Sequence, residues 1–198
     1  IGVRLVGSEM CIRDRNNADR MRIGIEMAGG DRNLTAGLDW LDSAAAGPDG
    51  DLLGATILVP GCSAAKPQKR WPADRFAAIA KAEMETGRKV AIVGTAADRE
   101  VADAVMNAAP GCVDLVGRTG LGELAALFWD AGAVIGNDTG PTFLAARVGT
   151  PTLMLMGADT DPSMSAPVGA RAGWLREDRI SEIASDDALA ALDRLRSG

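Results

Sequence analysis

Short apolar runs alternate with amphipathic stretches along most of the chain. Thr56-Ile57-Leu58-Val59 is apolar and ends at Pro60-Gly61. Ala73 to Thr86 follows, with Phe76, Ile79, Ala80 and Met84 at helical spacing and Gly87 as the stop. Val90-Ala91-Ile92-Val93 reads as a second strand closed by Gly94, and Ala97 to Ala108 as a second helix ended by Pro110. The alternation continues with a marginal strand at Val113 to Val116, a helix from Leu121 to Ala131 and a strand over Ala133 to Ile135. Pro141 to Val148 reads as a helix, with the proline suited to its first turn. A strand over Thr152 to Met156 and a closing helix from Ser185 to Arg196 complete the pattern.

Continuously apolar strands separated by helices predict a parallel sheet covered on both faces. The expected fold class is therefore α/β, a doubly wound, mostly parallel, Rossmann-like sheet. Such sheets bind ligands at the carboxyl ends of their strands. The loops after Val59, Val93, Val116, Ile135 and Met156 are the ones to inspect.

Upstream the pattern fades. Residues 1–15 read IGVRLVGSEMCIRDR, with mixed charges and no clear period. They resemble a translated sequencing-adapter tail and are expected to be non-native; an ordinary strand and loop is the other reading. Residues 16–54 are expected to be a connector or the remnant of a preceding domain. Gly29-Gly30-Asp31 and Ala46 to Asp51 are turn signals there, and Leu38, Trp40 and Leu41 suit a short amphipathic piece. Residues 55–198 form the expected compact domain.

Composition narrows the chemistry. The 198 residues are 47% hydrophobic, enough for a sizeable core, and the net charge of -6 argues against general nucleic-acid binding. A local basic pocket can still hold an anion. Cys11, Cys62 and Cys112 are widely spaced, and the chain has no histidine. A zinc site and a Ser-His-Asp or Cys-His machine therefore lack their usual parts, and free thiols in a reducing cytosol are expected. No apolar run approaches the roughly 20 residues of a membrane span.

Four loops concentrate the polar chemistry. PGCSAAKPQKRWP, Pro60 to Pro72, places Lys66, Lys69 and Arg70 between a strand end and a helix start, where cations suit an anionic ligand or a solvated surface. Trp71 is placed to pin this loop. GTAADRE, Gly94 to Glu100, puts Asp98 and Glu100 at a helix start, where capping is the default role and hydroxyl binding the alternative. GRTGLGEL, Gly117 to Leu124, offers Thr119 as a cap. Gly136-Asn137-Asp138-Thr139-Gly140-Pro141 sets an acid, a hydroxyl and a side-chain-free position just before a helix. The free N–H groups of that helix make an anion site, and Asp138 can accept from sugar hydroxyls. Plain capping by Asp138 or Thr139 is the simpler alternative. Neither GxxxxGK[ST] nor a GxGxxG after a strand is present, which weakens the ATPase and ordinary dehydrogenase readings.

The order and spacing of PGCSAAKPQKRWP, GTAADRE, DLVGRTGLGELAALFWDAGAVIGNDTGPTFLAARVGTPTLMLMG and DTDPSMSAP resemble the C-terminal domain of the family 9 glycosyltransferases, the ADP-heptose:lipopolysaccharide heptosyltransferases. The resemblance runs from about Leu38 to the C-terminus. It implies one half of a two-domain GT-B glycosyltransferase, the half that binds the nucleotide-sugar donor. The expected donor is ADP-heptose. The expected acceptor is a lipid-linked saccharide, the lipopolysaccharide core, bound through an N-terminal domain that carries the base and is expected to be missing here. Inverting transfer with no required metal or other cofactor is implied, with a cytoplasmic location, peripheral to the inner membrane at most.

By position, the resemblance makes Lys69 the residue near the donor phosphates that stabilises the leaving group, and Asp138 the acid that contacts the donor. Ser63, Thr139, Gly140 and Pro141 belong to the donor cradle, and the main chain of Thr119 touches the base. Glu100, ahead of Asp98, is the candidate for the ribose. The family usually reads GPMHLAAA where this chain reads GPTFLAAR, so Phe143 replaces a histidine and Arg147 a small residue. Two alternatives stay open. One is a non-catalytic nucleotide-sugar-binding module; the other is a receiver or flavodoxin-like signalling domain, with Asp98, Asp114 or Asp138 holding a divalent metal.

Overall fold

The computed structural model describes residues 17–31 and 52–198. The expected non-native tail, the Leu38–Leu41 piece and the turn before Asp51 lie outside these residues. Chain contacts separate two units. The smaller takes in helix α1 (Asn17–Met27) and the segment Thr160–Ala166, which contains the short helix α6 (Pro162–Ser165). Helix α1 falls in the stretch expected to be a connector. Its apolar positions are few and Met21 and Met27 are largely exposed, so it has no strong amphipathic stripe to betray it.

The larger unit is built on six strands: β1 (Thr56–Val59), β2 (Val90–Ile92), β3 (Val113–Asp114), β4 (Ala133–Asn137), β5 (Thr152–Met156) and β6 (Ala172–Arg176). All pair in parallel, in the order β3-β2-β1-β4-β5-β6. This is the strand order of a doubly wound, dinucleotide-type sheet. Helices α2 (Ala73–Glu85), α3 (Arg99–Ala108), α4 (Leu121–Asp130), α5 (Gly140–Arg147) and α7 (Ser185–Ser197) cover its faces.

Alternation along the strands explains the two cores. Leu58, Ile92, Ile135 and Leu155 point to one face, against Phe76 and Ile79 of α2, Val105 of α3 and Leu192 of α7. Ile57, Val59, Ala91 and Val134 point to the other, against Ala125 and Phe128 of α4 and Ala145 of α5. Strand β6 was not expected from the sequence. It is an edge strand of half-buried and exposed residues, AGWLR, carrying a glycine and a terminal arginine. The edge lets it do without the apolar run by which a central parallel strand is recognised.

A buried ion network ties α7 to α2 and β1. Glu83 is 1% exposed. Its carboxylate accepts from Arg88 Nε at 2.7 Å, from both terminal nitrogens of Arg196 at 3.0 and 2.6 Å, and from Thr56 Oγ1 at 2.5 Å. Burial pushes the Glu83 carboxyl up, but the hydrogen bonds from Arg196, Arg88 and Thr56 outweigh it and hold the pKa at about 2.

Because that pKa lies below the usual 4.5, the network's stabilisation is complete above about pH 4.5 and is lost as pH falls through about 2. Urea unfolding at pH 7, 4 and 2.5 is expected to show Glu83→Gln destabilised by about 3 kcal/mol at pH 7. The difference from wild type shrinks across the acid range. A gap that stays constant down to pH 2.5 contradicts the assignment.

Candidate functional site

Strands β1 and β4 are neighbours, yet β1 runs into α2 on one face and β4 into α5 on the other. The connections diverge and leave a gap at the carboxyl ends, where such sheets bind ligands. A cleft of ≈ 360 Å³ occupies this place. That is the lower range for a small-molecule site. Its apolar walls are Val59, Val93, Ala97 and Leu124, and its polar groups come from Ser63, Thr95, Asp98, Thr119 and Thr139.

Four of the residues expected at a donor site, Ser63, Thr119, Thr139 and Pro141, line this cleft. Lys69, Asp138 and Gly140 stand beside it. Asp138 and Gly140 flank Thr139, and Lys69 Nζ pairs with the Asp138 carboxylate. The side chains of this pair are 15% and 8% exposed, so the pair is protected from solvent although it joins residues 69 positions apart. Lys69 reaches it from a single 3-10 turn, Pro67–Lys69. A methyl added at Gly140 meets nothing within 4 Å, so open space lies over the first turn of α5.

Glu100 is not brought into this cleft. It is exposed on the first turn of α3 and lines a separate depression with Arg70, Trp71 and Pro72. Asp98, ranked behind it from sequence, is the acid in the cleft. The chain makes a 3-10 turn over Ala96–Asp98 before α3, and this turns Asp98 inward and Glu100 away. Asp98 Oδ2 accepts from the Thr95 N–H and from Thr95 Oγ1, each at 2.9 Å. It lies so close over Gly61 that a methyl there would overlap the carboxylate. Thr119 is not the cap of α4. The carboxylate of Glu123 accepts from the Gly120 N–H at 2.7 Å instead, leaving Thr119 at the cleft wall.

Trp71 fixes the first loop, as expected. It is fully buried, donates from Nε1 to the Ile183 carbonyl at 3.1 Å and meets Phe76 edge-on at 4.9 Å. Asn137 was given no role from sequence. It is fully buried at the end of β4. Its Oδ1 accepts from the Trp71 N–H at 3.0 Å, and its Nδ2 donates to the carbonyls of Pro60 at 2.8 Å and Gly61 at 3.2 Å. The available signal was an amide closing a wholly apolar strand, since a buried polar group needs partners.

Phe143 is half-buried and belongs to neither core cluster, and Arg147 is exposed. The receiver reading gains nothing from the geometry. Asp98 is held by Thr95, Asp138 by Lys69, and Asp114 by Arg99 Nη1 at 2.8 Å, and the three do not gather into one cluster. The guanidinium of Arg99 keeps the Asp114 carboxyl below the usual range. Among the described residues no helix is long and apolar enough to cross a membrane.

Comparison with known proteins adds an independent line. The family model described as glycosyltransferase family 9 (heptosyltransferase) matches residues 25–189, reaching further upstream than the motifs alone. Lipooligosaccharide heptosyltransferase 2 of Haemophilus influenzae is 34% identical over 132 residues, which are 63% of this chain and 38% of that protein. Lipopolysaccharide heptosyltransferase 2 of Escherichia coli K12 is 30% identical over 115 residues, 56% of this chain and 33% of that protein. The solved Escherichia coli ADP-heptose lipopolysaccharide heptosyltransferase II superposes with a TM-score of 0.67 at 21% identity, covering 83% of this chain and 53% of that one. An Escherichia coli heptosyltransferase solved with ADP gives 0.71 at 16% identity, covering 86% and 53%. These likenesses support the fold. The chain spans roughly a third of the curated relatives and about half of the solved ones.

Two glycines beside the site separate packing from ligand space. A methyl at Gly136 would sit 2.6 Å from both Thr142 Oγ1 and Val59 Cβ, so Gly136→Ala is expected to cost about 1–3 kcal/mol in urea unfolding. Gly140→Ala, which opens into space, is expected to leave stability within about 0.5 kcal/mol of wild type or to raise it slightly. Equal losses for both would contradict this distinction.

Proposed function

Because this chain belongs to glycosyltransferase family 9, we propose that it is the donor-binding half of a GT-B enzyme. The enzyme transfers a heptose-like sugar from an ADP-activated donor to a lipopolysaccharide core acceptor. The observation that carries the reading is the part-buried Lys69–Asp138 pair beside the switch-point cleft. A cleft with apolar walls suits a nucleoside, and a lysine at its rim suits the diphosphate that follows. The start of α5, with open space over Gly140, adds a helix N-terminus to the anion site.

In this reading the acceptor hydroxyl attacks the anomeric carbon. The new C–O bond forms as the bond to the diphosphate oxygen breaks, and configuration inverts. The electron pair leaves with the nucleoside diphosphate, where Lys69 offsets the growing charge, so that no bound metal is required. The acceptor's proton passes to a base on the N-terminal domain of the enzyme. Asp98 takes the place proposed from sequence for Glu100 as the acid nearest the ribose, since it is the one that lines the cleft. Ser63, Thr119 and Thr139 complete the polar contacts. The enzyme works in the cytoplasm, at most peripherally on the inner membrane, and nucleic acid is not its ligand.

Calorimetric titration of the chain with ADP, UDP and NAD tests this. ADP is expected to bind in preference to UDP and NAD. Lys69→Ala is expected to weaken ADP by about tenfold or more, through loss of a charge-assisted bond. Gly140→Ala is expected to weaken it while keeping the wild-type melting temperature. A folded wild-type chain with no ADP affinity, or with equal affinity for all three, would overturn the donor reading.

A further inference from the structure

The loop that carries Lys69 has little structure of its own. Between Pro60 and Trp71 it holds one 3-10 turn, Pro67–Lys69, and residues 63–68 are exposed. Its two ends nevertheless meet at one side chain. The carbonyls of Pro60 and Gly61 at the entry and the N–H of Trp71 at the exit all bond to the amide of Asn137.

We infer that Asn137 is a positioning residue of the donor site: by closing the Pro60–Trp71 loop it sets Lys69 against Asp138 before any ligand arrives. The inference rests on the donor-binding reading. The amide offers one acceptor oxygen and two N–H donors, and the three contacts use both kinds. An isosteric aspartate has no donor and would set its charge against two carbonyl oxygens. Asn137 is itself held from the helix side, since its carbonyl accepts from Thr142 Oγ1 at 2.8 Å. Full burial strengthens each bond and makes each loss costly.

The covalent path gives the amide its reach. Lys69 lies two residues before Trp71, and Asp138 is the residue after Asn137. Both members of the ion pair are thus tethered within two residues of the same amide. A loop closed in advance spares the ligand the entropy of ordering it. Removal of the amide is therefore expected to reduce the part of the affinity that Lys69 supplies, the recognition of the diphosphate.

Comparison of ADP with AMP separates this from general damage. Both are titrated calorimetrically into the full chain as wild type, Asn137→Asp, Asn137→Ala, Lys69→Ala and the Asn137→Ala/Lys69→Ala double variant. Wild type is expected to prefer ADP by about tenfold or more. Each single variant is expected to bring the ratio near one, and the double variant to change it no further. Asn137 variants that keep the wild-type ratio, with both affinities lowered equally or unchanged, would overturn the inference and leave the donor reading standing. Wild type that binds neither nucleotide would overturn the donor reading, and the inference with it. If the Asn137 variants do not fold, amide exchange on wild type decides. A Trp71 N–H as protected as those of β4 before ADP is added supports a preset loop; protection that appears with ADP overturns it.

Discussion

Two adjacent parallel strands whose chains leave toward opposite faces set everything else in the larger unit. Strand β1 must feed α2 on one side of the sheet and β4 must feed α5 on the other, because each helix covers one apolar face. No side chain has to be spent on opening the cleft between them; the topology does it. Gly61, Ser63, Thr139 and Pro141 reach the cleft from the connections at these two strand ends, and Asp98 from the connection after the neighbouring β2. Divergence also has a cost. The loop ends at the split have backbone groups that no strand can pair, and Asn137 is where three of them are satisfied.

The fold was legible because central parallel strands are buried on both faces. TILV, VAI and TLMLM have no polar residue exposed to break the run, and their helices carry apolar positions at helical spacing. Strand β6 was illegible for the converse reason: one partner and partial exposure remove the apolar constraint. At the site, Ser63, Thr119, Thr139 and Pro141 were singled out through the family resemblance, and all four line the cleft because they follow strand ends, which fix where a loop begins. Glu100 and Asp98 could not be ordered that way. Which of two acids faces the sheet depends on how the backbone turns over Ala96–Asp98, a 3-10 turn that spacing alone does not encode. The Asn137 amide was equally hidden, since its partners lie 66 to 77 positions away.

Charge is handled differently at Glu83 and at the Lys69–Asp138 pair of this acidic chain. Glu83 is surrounded by more positive than negative partners and is kept ionised in spite of its burial. Lys69 has an acid beside it at the open end of the sheet, next to a cleft rather than beneath a helix. The first arrangement holds elements together. The second keeps a cation in place without leaving it unneutralised, and on the donor-binding reading it is a cation that an incoming diphosphate can share.

The Glu83 network also has a consequence for how the chain is made. Arg196 lies 113 residues beyond Glu83 and 140 beyond Thr56. At ribosomal rates of about 5–20 residues per second, the guanidinium emerges on the order of ten seconds after the carboxylate it serves. During that interval the sheet face that Ala188 and Leu192 of α7 later cover is bare. The nascent chain therefore passes through a state in which Glu83 has Thr56 and Arg88 but not yet Arg196, beside an uncovered apolar surface, the kind of intermediate on which chaperones act.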